Sequence, residues 1–393
     1  MQKNNTSKQI HQSNYISRDL SWLKFNYRVL DQVKDSRRNI FERLRFLTIA
    51  ASNLDEFFMI RIGSLYNYID FGKKRVDYSG MRETSFKTKL LKETKLFTND
   101  LNECYRQQFT EFEKNGFCIG NIEQSQSPLL KARSRLRAET QAGLNYGVQA
   151  RDLAFKRETL QEHEKEEVAK YFMNTIYPML TPMVYDNHHA FPILMNQMLI
   201  FGVVTRSKED KKISFVQVPQ NLSRFYEIHR GNQLILLPIE NIIKWRIDKL
   251  YRNIKIDSVN LFRITRNADF SVDESDDVEI DFINEIKRKL KGRKTGRVVR
   301  LEIEETCSAW MLDLLKQKFQ IDNDNVFINK YLFDFTSLSQ IFNHDEFKDK
   351  LPALTAPVLP LSFGGKENGN VYEYLKDRDI LLHHPYNSIE PVI

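Results

Sequence analysis

A carboxamide set inside an apolar helical stripe must be answered by a partner, and Asn53 is such a group. Leu44, Leu47, Ala51, Leu54, Phe58, Ile62 and Leu65 recur at three- and four-residue steps, which puts them on one face of a long amphipathic helix over residues 41–65. Phe46, Ile49, Ala50, Phe57 and Ile60 form a second stripe beside the first, and Asn53 sits within it, a turn after Ile49 and a turn before Phe57. Left unpaired in a buried site, such a group costs about 1–3 kcal/mol. It is therefore satisfied either by the protein, as a polar lock in the core, or by a ligand with matching donor and acceptor groups.

Other residue types that could do chemistry have weaker spacing. His188-His189 and His383-His384 suggest metal ligands, but adjacent residues on a strand point to opposite faces, a poor arrangement for one ion. Cys104, Cys118 and Cys307 lie far apart with no CxxC pair, which supports neither a zinc ribbon nor a disulfide framework and fits a reducing compartment. Gly364-Gly365-Lys366 lacks Walker spacing and reads as a turn. Arg263 and Arg266 share a strand-like run, followed by acidic residues from Asp269 to Asp281 and basic ones from Lys287 to Arg297. Acidic residues at a helix start and basic ones at its end complement the helix dipole, and a polyanion path along the basic run is the functional alternative.

These residues must be held by a substantial fold. The chain has 393 residues, with 41% hydrophobic and 28% charged, enough for two or three domains with a real core. A net charge of +7 suits a polyanionic partner without choosing one. The polar start lacks the apolar core of a signal peptide, and runs such as MLIFGVV are too short to span a bilayer. The expectation is a cytoplasmic protein, with membrane association open through partners. Residues 1–14 read as a disordered lead-in and 15–116 as a helical domain, with Asp19 as an N-cap and Asn115-Gly116 as a C-terminal cap. Residues 120–158 are polar and charged. A helix from about Gln161 is stopped by Pro178, and strand-like runs follow at 198–206, 213–219, 234–238, 261–266 and 298–304, with helices at 239–250, 277–291 and 307–319. The fold class is therefore multidomain α and α+β: a helical N-terminal domain, a mixed domain over 117–325, and a third element over 326–393.

RDLSWLKFNYRVL at 18–30, SNLDEFFMIR at 52–61, FRITRNAD at 262–269 and DILLHHPY at 379–386 together resemble bacterial polyphosphate kinase, in that family's order. The resemblance spans about 15–393. It implies an enzyme that reversibly transfers the terminal phosphate of ATP to polyphosphate through a phosphohistidine, with Mg2+, and it implies that Asn53 contacts the nucleotide base. It makes 117–325 the head domain with dimer contacts, hence a homo-oligomer, and 326–393 the start of a phospholipase D-like catalytic domain. The family's catalytic domains carry a His-x-Lys signature with an Asp a few residues on. His163-Glu164-Lys165 fits only its first three positions, with Lys170 where the Asp should be, and reads as a solvated helix face. The family's phosphohistidine, its magnesium-contacting arginines and its remaining phosphate contacts are expected beyond Ile393. No catalytic and no metal-binding residue is thus assigned here, and the chain alone is expected to be inactive. The alternative is a non-catalytic module that binds a polyanion or pairs with a full-length subunit; no motif points to nucleic acid.

Overall fold

The computed structural model describes residues 15–70, 80, 83–122, 159–186, 189–207, 210–268, 296–353, 356–358, 371–384 and 386–389. The expected lead-in at 1–14, the polar stretch at 123–158, the helix at 277–291 with its flanking charge runs, His188 and Gly364-Gly365-Lys366 lie outside them.

Two helices open the described chain, α1 (Arg18–Lys34) and α2 (Ile40–Phe57). The N-cap of α1 is Ser17, whose hydroxyl accepts from Leu20 N, and Asp19 falls inside the first turn, where its charge meets the positive end of the dipole. Asn39 caps α2 by accepting from Phe41 N. Arg43 Nε donates to Val33 O, Asn26 Nδ2 to Ala50 O, and Trp22 stacks on Phe57, so α1 and α2 run antiparallel as a hairpin. The expected single helix over 41–65 is interrupted. A π-helical turn, Phe58–Ile62, separates α2 from α3 (Gly63–Asp70). The reason lies in the neighbour: Met59 O accepts from Ala268 N, and Gly63 O from the Asn267 carboxamide, so the end of a distant strand draws off helix carbonyls. Helix α4 (Glu83–Arg106) packs its Leu90, Leu91, Phe97 and Leu101 into the same core. A turn at Gln107-Gln108 sets off the short α5 (Phe109–Lys114), closed by Asn115 and by Gly116 at φ 86°.

The mixed region holds two sheets. β1 (Phe117–Ile119), β6 (Gln233–Pro238) and β5 (Phe225–Arg230) form the smaller, in that order. The larger has the order β2 (Pro182–Tyr185), β4 (Asp210–Gln217), β3 (Leu199–Ser207), β7 (Lys255–Arg266), β8 (Val298–Glu304) and β9 (Val326–Asn329). All its pairings are antiparallel except β8 with β9. Alternation along β3 divides its apolar run between two cores. Leu199, Phe201 and Val203 join Val168, Phe172 and Ile176 from α6 (Glu162–Tyr171) and the π turn after it, and Ile242 and Ile243 from α7 (Ile239–Arg246). Ile200 and Val204 face Met311 and Leu315 of α8 (Ala309–Phe319). A strand covered on both faces is continuously apolar, which is why MLIFGVV reads so strongly.

The helical hairpin and both sheets fall in one compact unit that extends to His344, and Val326–Asn329 is the sixth strand of the large sheet. The second unit, from Asp345, contains α9 (Val371–Asp377) and an isolated bridge between Val358 and Asn387. Residues 378–383 have no ladder partner among the described residues, and Leu381 is 90% exposed.

Candidate functional site

The seam between α1 and α2 places Asn53. On α1, Leu23, Asn26, Leu30 and Val33 are the buried residues, one face of the helix. Asn26 is fully buried among them, and two hydrogen bonds account for it. Its Nδ2 donates to Ala50 O at 3.0 Å, and its Oδ1 accepts from Asn53 Nδ2 at 3.1 Å. One turn along, Trp22 and Phe57 stack with centroids 4.4 Å apart. Asn53 itself is half-buried. Its stripe is less buried than expected: Ile49 and Ile60 are exposed, while Ala50 and Phe57 turn inward. The carboxamide is thus answered on one side by the protein, and its Oδ1 makes no hydrogen bond among the described residues.

Asp55 lies two residues on, about 200° around an α-helix, and faces the sheet. There it meets Arg263 of β7 and Arg300 of β8, both with side chains almost wholly buried. The strands deliver these groups in register: Arg263 stands opposite Glu302, and Thr265 opposite Arg300. Arg263 also bonds Glu302 at 3.2 Å and the Gln197 carbonyl, and Arg300 bonds Thr265 and lies over the Phe58 ring at 4.5 Å. Burial alone would raise the Asp55 carboxyl, but the two guanidiniums outweigh it and hold it below the usual carboxylate range. Burial likewise opposes the charge on Arg263, and Asp55 and Glu302 overcome it, so its pKa is raised. Arg263 is therefore a buried tie between helix and sheet. Arg266 spends its guanidinium on the carbonyls of Leu194 and Gly296.

None of the other described candidates in the first unit is a hydrogen-bond partner of Asn53. His163 is exposed on α6, while Glu164 is buried, closes a capping box with Gln161 and pairs with Arg230 at 2.7 Å. The helix carrying this His-Glu-Lys is thus only partly a solvated face, with a structural role for its glutamate. His189 Nδ1 lies 2.7 Å from Asp186 Oδ1. His383 and His384 are exposed. No cluster of three or more His, Cys, Asp or Glu able to hold a metal occurs among the described residues. A cavity of about 510 Å3 opens elsewhere in the first unit, lined by Glu240, Lys244 and Glu304 among others. Three of its charged groups are paired, Lys244 with both Glu304 oxygens and Glu240 with Arg224.

Asn26, Asp55, Arg300 and Glu302 are the functional-site neighbours that sequence reasoning missed. The signal for Asn26 was present: it shares the 23–26–30–33 face with three apolar residues. Nothing local marks Asp55, because its partners are 208 and 245 residues away.

The architecture is a helical hairpin joined to a mixed sheet, and it has a counterpart of known structure. The crystal structure of polyphosphate kinase from Porphyromonas gingivalis matches 97% of this chain and 49% of that one at a TM-score of 0.67 and 19% identity, a likeness of fold. Residues 15–119 match the polyphosphate kinase N-terminal domain and 163–341 the polyphosphate kinase middle domain. The polyphosphate kinase of Halalkalibacterium halodurans is 33% identical over 390 residues, covering 96% of this chain and 50% of that protein. That of Staphylococcus haemolyticus is 31% identical over 385 residues, 96% of this chain and 48% of that protein. The chain belongs to the polyphosphate kinase family, a family of phosphotransferases. It spans about half the length of the curated relatives it matches.

Proposed function

We propose that this chain supplies the base-binding part of an enzyme that moves the terminal phosphate of ATP onto polyphosphate, with Asn53 as the contact to the nucleotide base. The observation that carries the reading is the half-exposed Asn53 carboxamide, committed to the protein through one N–H only. On this reading the hairpin belongs to a helical domain and a head domain begins near 117, where copies of the chain pair. A phospholipase D-like catalytic domain contributes the histidine that takes and passes on the phosphoryl group. Mg2+ travels with the nucleotide phosphates, whose charge it offsets during transfer. On this reading the reaction is cytoplasmic. No helix among the described residues is long and apolar enough to cross a membrane.

Titration of the 393-residue chain with ATP tests the base contact. Binding should be weak, should be lost in Asn53→Ala, and should come without turnover. Steady ATP consumption by the pure chain would sink the division of labour. The net charge of +7 favours a second reading, a polyanion-binding or pairing module. That module would bind polyphosphate in a salt-sensitive way without needing a nucleotide, and equally well after Asn53→Ala.

A further inference from the structure

The geometry points to Asn26 as a positioning residue that fixes which way the Asn53 carboxamide faces, and through it a preference for 6-aminopurine over 6-oxopurine nucleotides. The inference rests on the reading of Asn53 as the base contact.

Hydrogen-bond polarity sets the orientation of both carboxamides. A backbone carbonyl can only accept, so the Ala50 oxygen requires the NH2 end of the Asn26 side chain. Asn26 is fully buried between helices, and the end it turns towards Asn53 is therefore its oxygen. That oxygen can only accept as well, so it requires the NH2 end of Asn53. The polarity of one main-chain carbonyl is thus relayed through two carboxamides, and it fixes an orientation that an isolated amide leaves open. Asn53 then presents its Oδ1 and one remaining N–H to a ligand.

That pair complements an adenine edge. The exocyclic amino group donates to the oxygen, and a neighbouring ring nitrogen accepts from the N–H, as in bidentate recognition of adenine by asparagine. In a 6-oxopurine a carbonyl replaces the amino group and would face the Asn53 oxygen, acceptor against acceptor. Rotating the amide to meet it would place two oxygens together at Asn26, in a buried site.

The test is the ratio of dissociation constants for ATP and its 6-oxo counterpart, inosine triphosphate, on the 393-residue chain. The unmutated chain should prefer ATP by on the order of ten- to a hundredfold. Asn26→Leu removes the relay, leaves Asn53 free to turn and should bring the ratio close to one. Asn26→Asp, kept protonated by burial, donates its O–H to the Ala50 oxygen, still accepts from Asn53 and should keep most of the preference. A merely structural role for Asn26 would lower the melting temperature and weaken both nucleotides together, leaving the ratio intact; that result in Asn26→Leu overturns the proposal while the base-contact reading stands. Unchanged ATP binding in Asn53→Ala overturns that reading and the inference with it. Should neither Asn26 variant fold, the unmutated chain decides: equal binding of the two nucleotides, or preference for inosine triphosphate, overturns the relay.

Discussion

Asp55 lies two positions from the candidate base contact, with two guanidiniums on its carboxylate and almost no water. Truncating one member of such a group leaves the others charged and unpaired, so Asp55→Ala should cost about 3–5 kcal/mol, read as a lower denaturant midpoint. The pH dependence has a fixed sign. The folded-state pKa of Asp55 lies below the unfolded value, so its contribution is present above about pH 4 and fades as pH falls through the depressed folded-state value. Asp55→Asn should therefore show a flatter loss of stability with acid than the unmutated chain. Parallel acid profiles for the two proteins would show that the carboxylate is not what titrates.

Elements explain why these residues meet. The π turn at Phe58–Ile62 and the start of α3 lie against the end of β7, where a Cβ on Gly63 would collide with the Asn267 carboxamide oxygen. Gly63→Ala should therefore lower stability by about 1–3 kcal/mol, seen as a drop in melting temperature. Several elements were legible beforehand. The apolar runs at 198–206, 213–219, 234–238 and 298–304 lie in β3, β4, β6 and β8, because strands buried on both sides carry their signal in composition. β1, β2 and β9 escaped notice because they are three or four residues long. β5 buries only Phe225 and Ile228, three residues apart, so it lacks the period-two alternation of a strand, and the first half of β7 buries Ser258 and Asn260 in place of apolar side chains. The π turn was invisible for another reason. It depends on hydrogen bonds from residues 267 and 268, about which the helix sequence says nothing.

At the scale of the first compact unit, the helical region and the sheet are joined at many points. Tyr66 bonds Asn325 at 2.9 Å, Lys87 bonds Asp322, Lys95 the Asn323 carbonyl, and Arg297 pairs with Asp70. Phe58 meets Phe327 edge to face beside the Arg300 guanidinium. Such a join should unfold as one cooperative body. Trp22 reports on the hairpin, and Trp245 and Trp310 on the mixed region, so single-tryptophan variants made with phenylalanine should give coincident fluorescence midpoints in denaturant. Separate midpoints would mean that the halves are stable alone and the buried charges bind them only weakly.

The long reach of Asp55 also sets an order of events during synthesis. The α1–α2 hairpin uses contacts between neighbours in sequence, and it is complete soon after the chain has passed residue 57. Arg300 arrives 245 residues after Asp55, roughly 12–50 s later at a ribosome's pace of about 5–20 residues per second. Until Arg263 arrives, 208 residues after Asp55, the carboxylate has neither strand to meet it and stays hydrated, which disfavours closing the sheet-facing side of the hairpin on wrong apolar partners. The last strands to be made remove that water, and the nascent hairpin becomes one wall of a finished protein.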